Sequence, residues 1–426
     1  MTTINRKTAP EFKPVDHINL IKPQHTKLDN GCNIFCFNSG DQELVRIEWI
    51  FGNLRFDPAK PLLNVATNTM LTEGTSKLNA AQIADSIDFY GGFLQVDYGY
   101  DHSVVTLYSL NKHLQHTLPV MKDVITDSIF PKKELETFVR NQQQKLQVSL
   151  QKNDVVARRA FNKAIYGNTL YGLGAEASDY KTLKREDILQ HFKQMYQPAN
   201  CTILIAGKVD QDTLDLLTGN FEDWANYTTT ANNSQPELTP AQEHFYLVEK
   251  PEALQSAIRM GFPTINRTHP DFPAFQVLNT VLGGYFGSRL MANIREDKGY
   301  TYGIGSGISS LNHGGALFIA SEVGADVCKA AVIEIEKEVN RLKTELVPGE
   351  ELSLVRNYML GSLLGSLENV FSHADKFKNI YFAGLDYDYY DRYSEKIKTI
   401  TSQEVLNLAN QYLDLDKFYK VIVGKY

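Results

Sequence analysis

Arg295 and Tyr302 are the side chains in this sequence of 426 residues whose types and spacing first suggest chemistry. They lie in Leu282-Gly-Gly-Tyr-Phe-Gly-Ser-Arg-Leu-Met-Ala-Asn-Ile-Arg-Glu-Asp-Lys-Gly-Tyr-Thr-Tyr302. A guanidinium and a phenol both donate hydrogen bonds, so together they suit an oxygen that gains negative charge. Leu290, Met291 and Ile294 recur at helical spacing, and Gly299 suits a helix C-cap. Tyr300 to Ile308 alternates and is rich in Gly, Thr and Tyr, as a strand would be. Arg295 would then leave the last helical turn, and Tyr302 would open the strand. The same residues also read as an Arg favoured by the helix dipole beside a Tyr that packs. Spacing alone leaves both readings open. Gly283, Gly284 and Gly287 would either let a peptide backbone approach closely or permit a tight turn into the helix.

The elements that must hold this stretch follow from periodicity and turn residues. In the first half, Cys32–Asn38 and Glu43–Phe51 read as strands, and Pro61–Thr72 as a helix. Asn79-Ala-Ala-Gln82 is a capping box ahead of a helix that ends at Gly91-Gly92. Phe93–Tyr100 and Ser103–Leu110 form an expected hairpin, followed by a helix Leu114–Ile125. Residues 134–166 read as one long helical stretch, 187–196 and 210–222 as shorter helices, and Cys201–Ala206 as a buried strand ending at Gly207. In the second half the expected order is a helix Phe275–Arg295, a hairpin Tyr302–Ser310 and Ala316–Val323, a helix Ala325–Lys343 and a long helix Glu351–Phe371. Thr401-Ser-Gln-Glu404 is a second capping box.

The halves repeat. Val139-Arg-Asn141 recurs as Val355-Arg-Asn357, and Ala206-Gly-Lys208 as Val423-Gly-Lys425. A helix begins near Asp187 in one copy and Glu404 in the other. The offsets are all 216 or 217, about half the chain. The polar, Pro-containing run 227–242 reads as the linker, giving domains 1–226 and 243–426 after an irregular arm over 1–25. Strands pair as hairpins without strict βαβ spacing, so the expected class is α+β, with helices against largely antiparallel sheets.

Composition excludes several functions. Hydrophobic residues at 43% and charged residues at 22% are ordinary for a globular protein, and the length exceeds one core. A net charge of -7 argues against non-specific nucleic-acid binding. No apolar run reaches transmembrane length. Met1–Lys13 has no apolar core, so the chain as written reads as cytoplasmic, or periplasmic if a leader was removed. Cys32, Cys36, Cys201 and Cys328 read as small buried thiols.

Four segments in order carry a resemblance to the insulinase/pitrilysin superfamily of zinc metallopeptidases, in particular its short two-domain bacterial and mitochondrial-processing-peptidase type. Gly52-Asn-Leu-Arg-Phe-Asp-Pro58 resembles the strand-end before the family's zinc helix, and Met70-Leu-Thr-Glu-Gly-Thr75 the segment after it. Tyr90-Gly-Gly-Phe-Leu-Gln-Val96 resembles its edge strand. Leu282 to Tyr302 resembles its C-terminal Arg/Tyr element, with the same seven-residue step. The resemblance implies two homologous domains facing each other across a cleft. It also implies that Phe93–Tyr98, including Gln95, could pair with extended peptide, although an ordinary sheet strand fits as well.

One departure governs the expected function. The family holds zinc on an inverted His-x-x-Glu-His helix, whose Glu is the general base. Those positions here are Val65, Asn68 and Thr69. The region of the third, acidic ligand reads Gln142-Gln-Gln-Lys-Leu-Gln147. The resemblance therefore implies a non-hydrolytic subunit with no metal of its own, inactive alone. It would supply Arg295 and Tyr302 in trans to peptide held by a zinc-bearing homologous partner. A purely structural or peptide-binding scaffold subunit of the same fold is the alternative.

Overall fold

The computed structural model describes residues 18–226 and 236–426. Residues 1–17 of the expected arm and 227–235 of the expected linker lie outside the described residues. The first half runs β1 (Gln24–Lys27), β2 (Asn33–Asn38), β3 (Leu44–Gly52), α1 (Leu63–Thr69), α2 (Ala80–Asp88), β4 (Phe93–Tyr98) and β5 (His102–Leu110). It continues with α3 (Leu114–Thr126), α4 (Lys132–Ser149), α5 (Asn153–Tyr166), α6 (Ala177–Thr182), α7 (Arg185–Met195), β6 (Cys201–Gly207) and α8 (Gln211–Phe221). The second half gives β7 (Phe245–Glu249), β8 (Gln255–Thr264), α9 (Phe272–Asn279), two π-helical turns (Thr280–Gly284 and Met291–Asp297), β9 (Thr301–Leu311) and β10 (Gly314–Gly324). Then come α10 (Cys328–Thr344), α11 (Gly349–Gly365), α12 (Val370–Tyr381), α13 (Asp388–Thr399), α14 (Ser402–Tyr412) and β11 (Tyr419–Gly424).

The sheets have orders β1-β2-β6-β3-β5-β4 and β7-β11-β8-β10-β9. β2 with β6, and β7 with β11, are the parallel pairs; the remaining neighbours are antiparallel. Without β1 the two sheets are one topology written twice, the α+β architecture that the repeat implied. Gly207 and Gly424 end the equivalent strands β6 and β11. Both have positive φ, +135° and +133°, where a Cβ would strike the neighbouring strand, so glycine is required in each copy.

Two long helices expected from periodicity are each broken. The run 134–166 stops at Leu150 and restarts at Asn153, and the run from Glu351 to Phe371 stops at Ser366 and restarts behind the N-cap Asn369. The break in each copy lets the second helix cross to the other half. On α5, Ala157, Phe161 and Ala164 pack with Ala257, Tyr419, Val421 and Val423 of the second sheet. On α12, Ala374 and Phe377 pack with Phe35, Phe37, Leu204 and Ala206 of the first. Phe377 stands 4.7 Å from Phe35 between ring centroids. Burying a side chain of that size is worth about 1.5–3 kcal/mol. The same helix brings charges across. Asp375 accepts two hydrogen bonds from the buried Arg46 guanidinium, at 2.9 and 3.2 Å, and Lys378 donates to buried Glu48 at 2.7 Å.

Between the halves lies a cavity of about 400 Å³, bordered by Asp97, His102, Arg267, Asn312, Lys378 and Phe382. The His102 ring lies tilted against Phe382, with centroids 4.1 Å apart. Burial pushes its imidazole down to about 4, with Asp101 opposing and Lys378 reinforcing. Among the described residues no helix is long and apolar enough to cross a membrane.

Candidate functional site

Helix α1 is where the family pattern would place a metal. Asn68 is fully buried on it. Its amide donates to the carbonyl of Asp97 at 2.8 Å, and the Tyr196 hydroxyl donates to its Oδ1 at 3.0 Å. A group that would otherwise be a base is thus an amide joining α1, β4 and α7. Val65 offers no donor atom, and Thr69 offers a neutral hydroxyl. α4 presents Gln142–Gln147 in the region of the third ligand. Zinc sites need Cys, His or carboxylate ligands, at least three of them. Among the described residues no group of three His, Cys, Asp or Glu side chains could hold a metal ion. The residues present do not fit zinc, and no chemical step is assigned to it in this chain.

The Arg/Tyr stretch is built differently from the single helix expected over Phe275–Arg295. α9 passes into the first π turn, and the chain then extends at Tyr285, with φ -153° and ψ 171°. Glycines at 283, 284 and 287 explain the interruption, because each costs helix stability and frees the backbone. Gly283 is buried against β9: a Cβ there would lie 2.6 Å from both the backbone N and Oγ of Ser306. Its smallness serves packing rather than access. Gly284 and Gly287 are exposed, and they flank Phe286, which is 65% exposed.

The second π turn is anchored from below. Arg289 makes a two-pronged ion pair with Glu351, at 2.9 and 3.0 Å, and Asn293 donates to buried Glu338 at 2.7 Å. π-helical turns inside helices recur at functional sites. Gly299, at φ +67°, caps the turn, and the Tyr300 N–H donates to the carbonyl of Ile294 at 3.0 Å. Arg295 is half-buried, with its guanidinium 4.7 Å from the centre of the Phe286 ring and 4.0 Å from Glu296.

Tyr302 owes its position to a bulge. Ile304 pairs with Ser321 and Thr301 with Val323, so Tyr302 and Gly303 together oppose the single residue Glu322. Such an extra residue re-aims a side chain and often adjoins a working site. Tyr302 is 94% exposed on the edge strand of its sheet. Among the described residues no hydrogen bond or ring contact joins it to Arg295; the turn through Gly299 separates them.

Gln95 lies on the other sheet. It is exposed on the edge strand β4, and its amide donates to Asp97 at 2.9 Å. The structure thus places Tyr302 on β9, puts Arg295 and the glycines on the π turns packed against that strand and the loop between them, and leaves Gln95 on the edge of the first sheet. Sequence reasoning missed Phe286, although its place between Gly284 and Gly287 was a signal. It also missed the Tyr196–Asn68 bond, which pairs residues too distant in sequence for any local pattern to connect.

The fold is a duplicated two-sheet scaffold, and Val65, Asn68 and Thr69 on α1 offer no His, Cys or carboxylate to a metal. Two models of one peptidase family match the chain: "Insulinase (Peptidase family M16)" over residues 67–176 and "Peptidase M16 inactive domain" over 182–359. The chain belongs to this insulinase family. It is 26% identical to the Uncharacterized zinc protease YmxG of Bacillus subtilis, over 82% of this chain and 84% of that one. It is 23% identical to the Non-peptidase homolog YmxG of Helicobacter pylori, over 83% and 82%. A solved peptidase M16 inactive domain from Pseudomonas fluorescens superposes with a TM-score of 0.85 at 20% identity, covering 95% of this chain and 98% of its own. A protease from Helicobacter pylori superposes at 0.87 with 16% identity, over 95% and 100%. These two likenesses concern the fold.

Proposed function

We propose that this chain is the non-hydrolytic subunit of a zinc metallopeptidase heterodimer. It presents Arg295 and Tyr302 to a peptide held by a zinc-bearing homologous subunit. The observation that carries this reading is Tyr302: a bulge turns a phenol out to 94% exposure on a sheet edge, a few residues from a guanidinium held against Phe286. Packing gives no reason for that arrangement. Two donors aimed where a carbonyl oxygen gains charge stabilise the transition state more than the substrate. Peptide would reach them past the exposed Gly284 and Gly287, with Gln95 and the free edge of β4 as a further place for an extended strand. The division into 1–226, 227–242 and 243–426 and a cytoplasmic location, or a periplasmic one if a leader was removed, belong to the same proposal.

The test mixes this chain with a zinc-bearing homologue and measures peptide hydrolysis by each alone and by both. Mixing should raise turnover, and Arg295→Ala or Tyr302→Phe should each remove much of the gain, since one such donor is worth roughly 100- to 1000-fold. Complex formation, read by size-exclusion chromatography, should survive both changes. If both variants assemble and work as fast as the unmodified pair, the scaffold reading replaces this one. The packing role of Gly283 is the observation that favours that alternative.

A further inference from the structure

The duplication allows the two crossings to be compared position by position. Glu48 on β3 lies opposite Leu204, and Arg259 on β8 lies opposite Val421. Leu204 and Val421 each stand three residues before the glycine that ends their strand, so Glu48 and Arg259 are equivalent. The helix N-caps Asn369 and Lys152 align α12 with α5. Lys378 then corresponds to Phe161, and Asp375 to Arg158. Contacts agree with this alignment: Lys378 meets Glu48 at 2.7 Å, and the Phe161 ring lies 5.8 Å from the Arg259 guanidinium.

The two crossings differ in charge. In the first half, Arg46, Glu48, Asp375 and Lys378 balance one another. In the second, the same four places hold Ala257, Arg259, Arg158 and Phe161, two cations with no anion. Arg259 is half-buried between Phe161 and Phe318, whose ring centre is 4.6 Å away. Among the described residues its guanidinium makes no hydrogen bond or ion pair, and its Nε is buried without a partner. Asp154 and Arg158 on α5 both act on it electrostatically, in opposite senses. Glu322 is its diagonal neighbour on β10. Neither acid reaches ion-pair distance. A guanidinium desolvated in this way is set up to gain from a carboxylate supplied from outside.

The sheet lattice connects this cation to Tyr302. Arg259 pairs with Ala320, and Ala320 with Gly305, on the face to which the bulge at Tyr302 and Gly303 also belongs. Two strand spacings across and two residues along place the Cα atoms of Arg259 and Tyr302 about 12 Å apart. The floor between them is low: Gly305 and Ala320 carry little or nothing, and a Cβ at Gly303 would meet nothing within 4 Å. An extended peptide covers that distance in about four residues.

Building on the proposed role of Tyr302, we propose that Arg259, with Arg158 beside it, is a subsite for a peptide carboxylate about four residues from the bond positioned at Tyr302. The carboxylate is either an Asp or Glu side chain or the peptide's C-terminus. The test is binding to the full chain without a partner, read by fluorescence anisotropy. The probes are labelled, unstructured peptides with one Asp stepped through the sequence, the same set with Asn, and matched C-terminal acid and amide forms. One acidic position, or the C-terminal acid, should bind about tenfold tighter than its neutral counterpart, the worth of one charge-assisted hydrogen bond. Arg259→Met should abolish that preference and Arg259→Lys should keep part of it, with both variants showing unmodified circular dichroism. Equal affinity for acidic and neutral peptides, no binding at millimolar peptide, or a preference that survives Arg259→Met overturns the proposal. Turnover with the zinc-bearing partner reports on Arg295 and Tyr302 separately, so either idea can fail without the other.

Discussion

Asn68→Ala should destabilise the first half without touching the Arg295–Tyr302 element. The side chain is fully buried, and its two short bonds run to the Asp97 carbonyl at 2.8 Å and the Tyr196 hydroxyl at 3.0 Å, with a longer one to the Val104 carbonyl at 3.5 Å. Truncation strands the partners of both short bonds where water does not reach. Each stranded group costs about 1–3 kcal/mol, so the expected loss is about 2–6 kcal/mol. Tyr196→Phe strands only the Asn68 Oδ1 and should cost about 1–3 kcal/mol. The double variant leaves only the Asp97 carbonyl stranded, so it should cost at least about 2 kcal/mol less than the sum. Urea unfolding followed by tryptophan fluorescence reads the right region. Trp49 and Trp224 are the two tryptophans of the chain, and both lie in the first core. Phe51 links Trp224 to Tyr196, with ring centroids 6.1 and 4.4 Å away. A loss below about 0.5 kcal/mol for Asn68→Ala, the level of an ordinary surface change, would refute the argument. So would strict additivity of the pair.

Further outcomes follow from the same geometry. The isolated chain should retain no stoichiometric zinc after dialysis; elemental analysis giving about one tightly held zinc per chain would contradict the reading of Val65, Asn68 and Thr69. Burial lowers His102 and His191 to about 4, with Arg55 reinforcing the shift at His191. The unfolded chain therefore binds more protons between about pH 4 and 6.5. Stability should be full above that window and fall as pH drops through it, and His191→Gln should flatten the slope of the urea midpoint against pH. Residues 1–226 expressed alone should bind a hydrophobic dye and aggregate, because α12 no longer covers Phe35, Phe37 and Leu204; co-expression with 227–426 should restore solubility.

Local signals were legible and crossings were not. Both capping boxes, at Asn79–Gln82 and Thr401–Glu404, form as their sequences indicate. The hairpins and the duplication were also readable, because strand alternation and the strand-ending glycines are local. The breaks at 150–152 and 366–369 were missed because helical periodicity persists on both sides. Asn369, whose side chain accepts from the Ser372 N–H, was a readable cap for the second break. Nothing comparable marks the first, where Lys152 makes no side-chain cap. For the site, the residue types at 295 and 302 were visible and their setting was not. A bulge is a mismatch between two strands, so Tyr302 could be placed on its exposed edge only once its opposition to Glu322 was known.

The two copies have diverged in a consistent direction. In the first, polar groups at positions suited to chemistry have been absorbed into the fold. Asn68 is bonded to Asp97 and Tyr196, and Glu48 is ion-paired with both Lys378 and Arg46. Such groups carry stability, and replacing them should move unfolding midpoints. In the second copy the corresponding tension is left open. Tyr302 is turned outward, Arg295 rests on an exposed ring, and Arg259 lacks the opposite charge that Lys378 gives its counterpart Glu48. Groups held in costly, unsatisfied settings are where local rules yield to function. A ligand that satisfies them gains what the fold itself did not. The asymmetry matches the proposed division of labour, in which the first copy would carry stability and the second, through Arg259, Arg295 and Tyr302, would carry recognition.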